Sequence, residues 1–265
     1  MFSGFTLSHR GGSGSPLVCL HGFLDTWRSW ELVVPALERH HDVLAVTLPG
    51  HAGGPLLDAF ASVDALVDGV EAALDAAGLE LPHLVGNSLG GYVALKLATR
   101  GRAATVVAFA PAGGWRRSDP SYEELLRSQR ELYAQMKAAA PHAQTYLATP
   151  EGRRRATQRL TVNYEHIPPD LLAHVMLGVA SCSAATGLID SALGEGWELD
   201  AERITCPTRI VWGRADALLP WPRAAARYRE RWLPHADWVL LDGVGHCPQL
   251  DVPLETAQLI LGFTS

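Results

Sequence analysis

Cysteine is scarce in this chain. Four residues, Cys19, Cys182, Cys206 and Cys247, are scattered through 265 positions without the spacing of a metal site. Thiols kept reduced in a cytoplasm are the simplest expectation. Basic residues are short as well: 22 Lys and Arg against 28 Asp and Glu give a net charge of −6. Without a strong positive field to collect phosphates, nucleic acid is not an expected partner. Long apolar runs are missing, and the stretch over residues 105–112 falls far short of a bilayer span. Residues 1–6 show neither a basic start nor an apolar run behind it, so no secretory signal is expected. No internal repeat or low-complexity tract is visible.

The residues that are present suit a large α/β core. With 265 residues, 48% of them hydrophobic and 19% charged, the chain can form one domain of this kind, with or without an insertion. Continuous apolar runs at residues 16–20, 42–47, 83–87, 105–110, 208–213 and 238–241 have the pattern of strands buried on both faces. Residues 2–10 read as a further short strand or hairpin, closed by a Gly/Ser turn. Helices are expected over residues 30–38, after the N-cap Ser62 as far as Gly78, over 223–232 and over 254–263. Strand and helix in alternation predict a doubly wound, mostly parallel sheet with right-handed crossovers.

The alternation breaks after Gly114. Roughly ninety residues pass before the next buried strand, too many for a structureless loop. They read as helices: Ser121 and Glu124 form a capping box, Thr149-Pro150 and Pro168-Pro169 start two more, and a fourth holds Leu188 and Ile189. The expected organisation is a core of residues 1–112 and 203–265 with a helical cap of residues 113–202.

The chemistry centres on Gly86-Asn87-Ser88-Leu89-Gly90-Gly91. A short apolar run ends there in a tight turn and becomes a helix, the context in which a G-x-S-x-G match reads as a nucleophile elbow. A serine hydroxyl is a poor nucleophile at neutral pH and needs a base. In open α/β sheets, residues just past the strand ends meet in one crevice, and three strand ends supply Ser88, Asp216 and His246. Their order matches the elbow architecture, so His246 is expected as the base and Asp216 as the carboxylate that orients it. Asp242 is the rival acid, but it lies too close in sequence to His246 and reads as a turn residue. The backbone N–H of Leu89 is one expected oxyanion donor, and that of Phe23, in the loop after an earlier strand, is the other. His21 and His51 read as hydrogen-bonded structural residues, and Cys247 as packing.

In the cap, Arg153-Arg154-Arg155 reads as a solvated helix face, with a hold on an anionic substrate arm as the alternative. Tyr133, Met136, Tyr146 and Met176 are candidates for lining a substrate pocket, or else are cap core.

Taken with His21-Gly22-Phe23, Leu48-Pro49-Gly50-His51, Trp212-Gly213-Arg214-Ala215-Asp216 and Gly245-His246, the elbow resembles that of the α/β-hydrolase fold superfamily, among its small, capped, serine-nucleophile members. The resemblance implies an α/β-hydrolase fold and a cofactor-free, metal-free hydrolase acting on a small-molecule substrate, with a carboxylic ester as the leading expectation. Haloalkane dehalogenases and epoxide hydrolases of this fold carry aspartate at the elbow, where this chain has Ser88. The elbow also resembles that of C–C bond hydrolases, whose loop after His-Gly is longer than the one here. A C–C hydrolase or lyase on the same triad, or a non-catalytic ligand receptor, are the alternatives.

Overall fold

The buried runs become six parallel strands because each must cover both faces. In the computed structural model, which describes residues 4–57 and 61–265, they are β2 (Ser15–Leu20), β3 (His41–Val46), β4 (His83–Asn87), β5 (Thr105–Phe109), β6 (Thr208–Gly213) and β7 (Asp237–Leu241), preceded by β1 (Ser8–Gly12). The sheet order is β1-β3-β2-β4-β5-β6-β7, with β1 antiparallel to β3 and every other pair parallel. The first expected strand starts at Phe2, outside the described residues; residues 4–7 are not strand, and β1 instead runs on from Ser8 through Gly11 and Gly12, where the closing turn was expected.

Side-chain alternation divides the strands between two cores. Val18, Leu20, Leu84, Val106 and Ile210 face one way, toward α2 (Val63–Ala76) and α3 (Leu89–Thr99). Leu17, Cys19, Val85, Val107 and Val211 face the other, toward Trp30, α1 (Val34–Leu37) and the last helix of the chain. Most of these residues are fully inaccessible, and each such side chain contributes roughly 1.5–3 kcal/mol of burial. The N-cap of α2 is as expected: Ser62 accepts the Ala65 N–H at 3.1 Å, and Gly78 leaves the helix at φ 71°.

Five helices fill the segment between β5 and β6: α4 (Ser121–Ala139), α5 (Ala143–Leu147), α6 (Pro150–Thr157), α7 (Pro169–Ala180) and α8 (Ala185–Gly194). Thr149 caps α6 through the Gly152 N–H at 3.0 Å, as its Thr-Pro start implies. The start of α4 differs from the expected box. Ser121 is already inside the helix, and Asp119 accepts both its N–H (3.0 Å) and its hydroxyl (2.6 Å) while pairing with Arg223 (2.6 Å). After β7 come α9 (Pro248–Asp251) and α10 (Pro253–Thr264). No single helix among the described residues is long and apolar enough to cross a membrane.

Two expected helices are broken. Over residues 30–38 a 3-10 turn at Trp27–Trp30 is followed only by the four-residue α1. Pro35, the second residue of α1, has no N–H to return to the Glu31 carbonyl, so the hydrogen-bond ladder is interrupted between the two pieces. Over residues 223–232 there are a 3-10 turn (Arg223–Ala225) and one π turn (Tyr228–Trp232). The Arg227 N–H goes to the Gly114 carbonyl (2.7 Å), and the Tyr228 hydroxyl to that of Ala112 (2.6 Å). Tertiary bonds to the start of the insertion replace the regular ladder.

Candidate active site

The elbow is tight because glycines allow close approach. A Cβ on Gly86 would lie 2.2 Å from the Gly90 carbonyl oxygen, and one on Gly90 would lie 2.3 Å from that of Leu20. Between them Ser88 is held at φ 55°, ψ −115°, a conformation that costs about 1–3 kcal/mol where the surroundings enforce it. Here they do: its N–H donates to Phe109 (2.8 Å), and its carbonyl accepts the N–H of Tyr92 and of Ala112 (both 3.0 Å). The other non-glycine residues with positive φ, among those described, are Leu24 and Ala110. Leu24 borders the same cavity as Ser88, and Ala110 directly follows the Phe109 that holds it.

His246 follows β7 and is 2% exposed; Asp216 follows β6 and is 4% exposed. His246 Nδ1 donates to Asp216 Oδ2 at 2.8 Å, which leaves Nε2 as the acceptor of the neutral ring. The other carboxylate oxygen of Asp216 accepts the N–H groups of Leu218 (2.9 Å) and Leu219 (2.7 Å), so the acid is fixed from both sides. Ser88 and His246 border one cavity, into which Gly22, Phe23 and Leu89 also face. A Cβ on Gly22 would touch the Ser88 Cβ at 3.4 Å, so the Phe23 loop packs directly on the elbow. Neither the Phe23 nor the Leu89 N–H has a main-chain acceptor among the described residues. Asp242 lies away from this cluster, exposed and paired with Arg214 at 2.9 Å.

His21 is hydrogen-bonded at both ring nitrogens, whereas His51 meets the Pro49 carbonyl through Nδ1 (3.1 Å) and its buried Nε2 has no hydrogen-bond partner among the described residues. His21 Nδ1 donates to Gly22 (2.7 Å) while its Nε2 accepts the Leu48 N–H (2.8 Å), fixing the tautomer and tying the Phe23 loop to the end of β3. Burial holds both rings well toward the neutral form, with His51 lowered to about 4.

The cavity measures about 250 Å³. Its far wall is apolar and comes from the insertion: Leu125 and Leu132 of α4, Leu172 and Val175 of α7, Leu188 and Ile189 of α8. Of the four candidates for this lining, Met136 and Met176 border the cavity. Tyr133 does not; it packs beside Leu24, Cys182 and Ala185. Tyr146 is also outside it, 38% exposed on the surface of the insertion. In the arginine run Arg154 and Arg155 both pair with Glu151, Arg153 donates to the Leu147 carbonyl (3.3 Å), and Arg155 also borders the cavity, so the run is not a solvated face alone. Among the described residues no group of His, Cys, Asp and Glu is arranged to hold a metal ion.

Three polar residues near the site were not anticipated. Asn87 donates to the His246 carbonyl (2.9 Å) and to that of Phe109 (3.2 Å), and accepts from Gln249 (3.1 Å). The residue before Ser88 thus clamps the loop that carries His246. A polar side chain ending a fully buried strand was the available signal. Asp251 is the second, a buried carboxylate that accepts the N–H of Gly245 beside His246.

Asp25 is the third. It borders the cavity on the Phe23 loop, and its Oδ1 accepts the Thr26 N–H at 2.8 Å. Burial raises its carboxyl from the ordinary 3.8 to about 7. Because the folded pKa lies above the unfolded one, the ionised carboxylate opposes folding. That cost is full above about pH 7, shrinks as the pH falls, and is gone below 3.8. At pH 8 it amounts to roughly 2–4 kcal/mol. Asp25→Asn will therefore raise the thermal midpoint by several degrees at pH 8 and by clearly less at pH 5. An equal gain at both pH values, or a loss at pH 8, would contradict this.

A parallel sheet whose strand ends converge on one enclosed crevice, roofed by inserted helices, defines a class of hydrolytic α/β enzymes. The chain belongs to the alpha/beta hydrolase family, whose sequence model matches residues 17–259. It is 32% identical over 198 residues to "Epoxide hydrolase EphH" of Mycobacterium tuberculosis, covering 75% of this chain and 92% of that one. It is 26% identical over 256 residues to "Putative carbamate hydrolase RutD" of Pseudomonas savastanoi pv. phaseolicola, covering 93% and 92%. Among solved structures it resembles a thermophilic esterase from Thermogutta terrifontis, with a TM-score of 0.71 at 22% identity over 96% of this chain and 91% of that one; this last likeness is one of fold.

Proposed function

We propose that this hydrolase cleaves a carboxylic ester of a small, largely apolar substrate through an acyl-enzyme. The observation that carries the reading is the buried 2.8 Å bond from His246 to Asp216, set in the same crevice as the strained Ser88. Ser88 Oγ attacks the ester carbonyl while His246 Nε2 takes its proton. Asp216 keeps the Nδ1–H tautomer and stabilises the imidazolium. The N–H groups of Phe23 and Leu89 receive the oxyanion. On collapse the C–O bond breaks and His246 returns the proton to the departing alcohol. Water, deprotonated by the same ring, then releases the acid and restores Ser88. The apolar wall from the cap accommodates the acyl or alcohol chain. The cytoplasm is the setting we assign, where four free cysteines stay reduced.

The chemistry of Ser88 argues against carrying over the epoxide substrate of the Mycobacterium tuberculosis relative. A carboxylate nucleophile opens an epoxide to an ester that water can hydrolyse. A serine would form an ether, which water does not release. The expected result is repeated turnover of p-nitrophenyl butyrate, with styrene oxide unchanged and a ring-fission dienoic acid cleaved much more slowly. Preference by kcat/KM for the epoxide or the dienoic acid would overturn the ester assignment. Release of no more than one product per enzyme would mark a receptor instead.

A further inference from the structure

Asp251 lies five residues beyond His246, at the end of α9, and is 2% exposed. Its carboxylate accepts four hydrogen bonds from two separate parts of the chain. Oδ2 takes the Gly245 N–H (2.6 Å) and the Val162 N–H (3.0 Å); Oδ1 takes the Asn163 N–H (2.7 Å) and the Asn163 Nδ2 (2.9 Å). Gly245 is the residue before the base. Val162 and Asn163 belong to the strap between α6 and α7 of the cap.

Two further bonds join the same pieces: the Cys247 N–H to the Leu160 carbonyl (2.8 Å) and His166 Nε2 to the Leu250 carbonyl (2.8 Å). The approach is close enough to require glycine, since a Cβ on Gly245 would lie 2.8 Å from the Leu160 carbonyl oxygen. Leu160 and Thr161, in this strap, also border the reaction cavity. The strap is thus both a wall of the cavity and the outer support of the base.

We infer that Asp251 is a positioning residue, which locks the cap strap to the His246 loop so that the cavity wall and the base move as one body. Together with Asn87 it holds that loop from two sides, Asn87 from the elbow and Asp251 from the cap. A carboxylate suits this task because it offers only acceptors to four converging donors. An amide of the same shape would turn an NH2 group toward two of those donors, and the loop would have to shift. A displacement of about 1 Å at a base costs on the order of 100-fold in rate.

The inference rests on the ester-hydrolase reading, and its test separates the two. Wild type, Asp251→Asn, Asp251→Glu and Asn163→Ala are compared by circular dichroism, by kcat and KM on p-nitrophenyl butyrate, and by the rate of fluorophosphonate addition to Ser88. The expected result is folded Asp251→Asn with kcat and addition rate both down about 100-fold, KM changed far less, and partial rescue by Asp251→Glu. Asn163→Ala, which removes only the cap-side amide bond, falls in the same direction by roughly threefold to tenfold. If Asp251→Asn does not fold, Asn163→Ala carries the test alone. Addition rates within twofold of wild type in the folded variants would overturn the positioning role. A wild-type protein that the probe does not label at Ser88 would instead remove the functional reading beneath it.

Discussion

Asp216→Asn will lower kcat on an ester by about 10⁴-fold while KM changes little, the size of the effect in the comparable serine-protease triad. The reason lies in the proton on His246. In the wild type Asp216 Oδ2 accepts from Nδ1, which leaves Nε2 to take the serine proton in the proposed mechanism. The other oxygen already accepts two main-chain N–H groups, from Leu218 and Leu219, so an asparagine must keep its oxygen on that side. Its NH2 group then faces Nδ1 and donates to it. The ring answers with the opposite tautomer, carrying its proton on Nε2, where it can no longer act as the base. Fold and substrate binding are retained because Asn fills the same space. Asp242→Asn is the matched control: exposed and paired only with Arg214, it should change kcat by less than about threefold. Steady-state kinetics of the two purified variants decide the matter, and the reverse ranking would mean that the carboxylate is misassigned.

The parts of the site legible in the sequence are those set by local rules. Buried parallel strands lack alternation, so residues 16–20, 105–110 and 208–213 announce themselves, and the residues just past each strand end lie near the crevice by topology alone. Helix caps at Ser62 and Thr149 arise from side-chain chemistry over three residues. The misses are tertiary. Tyr228 and Arg227 give up a regular helix for bonds to Ala112 and Gly114, more than a hundred positions away. Asp119 takes over the start of α4 because Arg223 reaches it from across the chain. Tyr133 and Tyr146 share a helical composition with the true lining, and only the packing of α4 and α5 in three dimensions turns them away. Asp251 carries no local signature, since its four donors lie at two distant stretches of sequence.

Every step proposed for this site depends on Ser88 as the nucleophile. Its position favours that role through physical constraints that do not depend on the substrate. The strained backbone aims the side chain out of the turn, and the start of α3 brings unsatisfied N–H groups and a positive dipole end to the same point. Ser88→Ala should therefore remove about six orders of magnitude of kcat, leaving only the contribution of the oxyanion donors and binding. The most direct measurement is the stoichiometry and position of a fluorophosphonate adduct, by intact mass and peptide mapping. One adduct per chain, on Ser88, absent from Ser88→Ala and slowed sharply in His246→Ala, is the result expected. An adduct on another residue, or undiminished ester turnover by Ser88→Ala, would contradict the account.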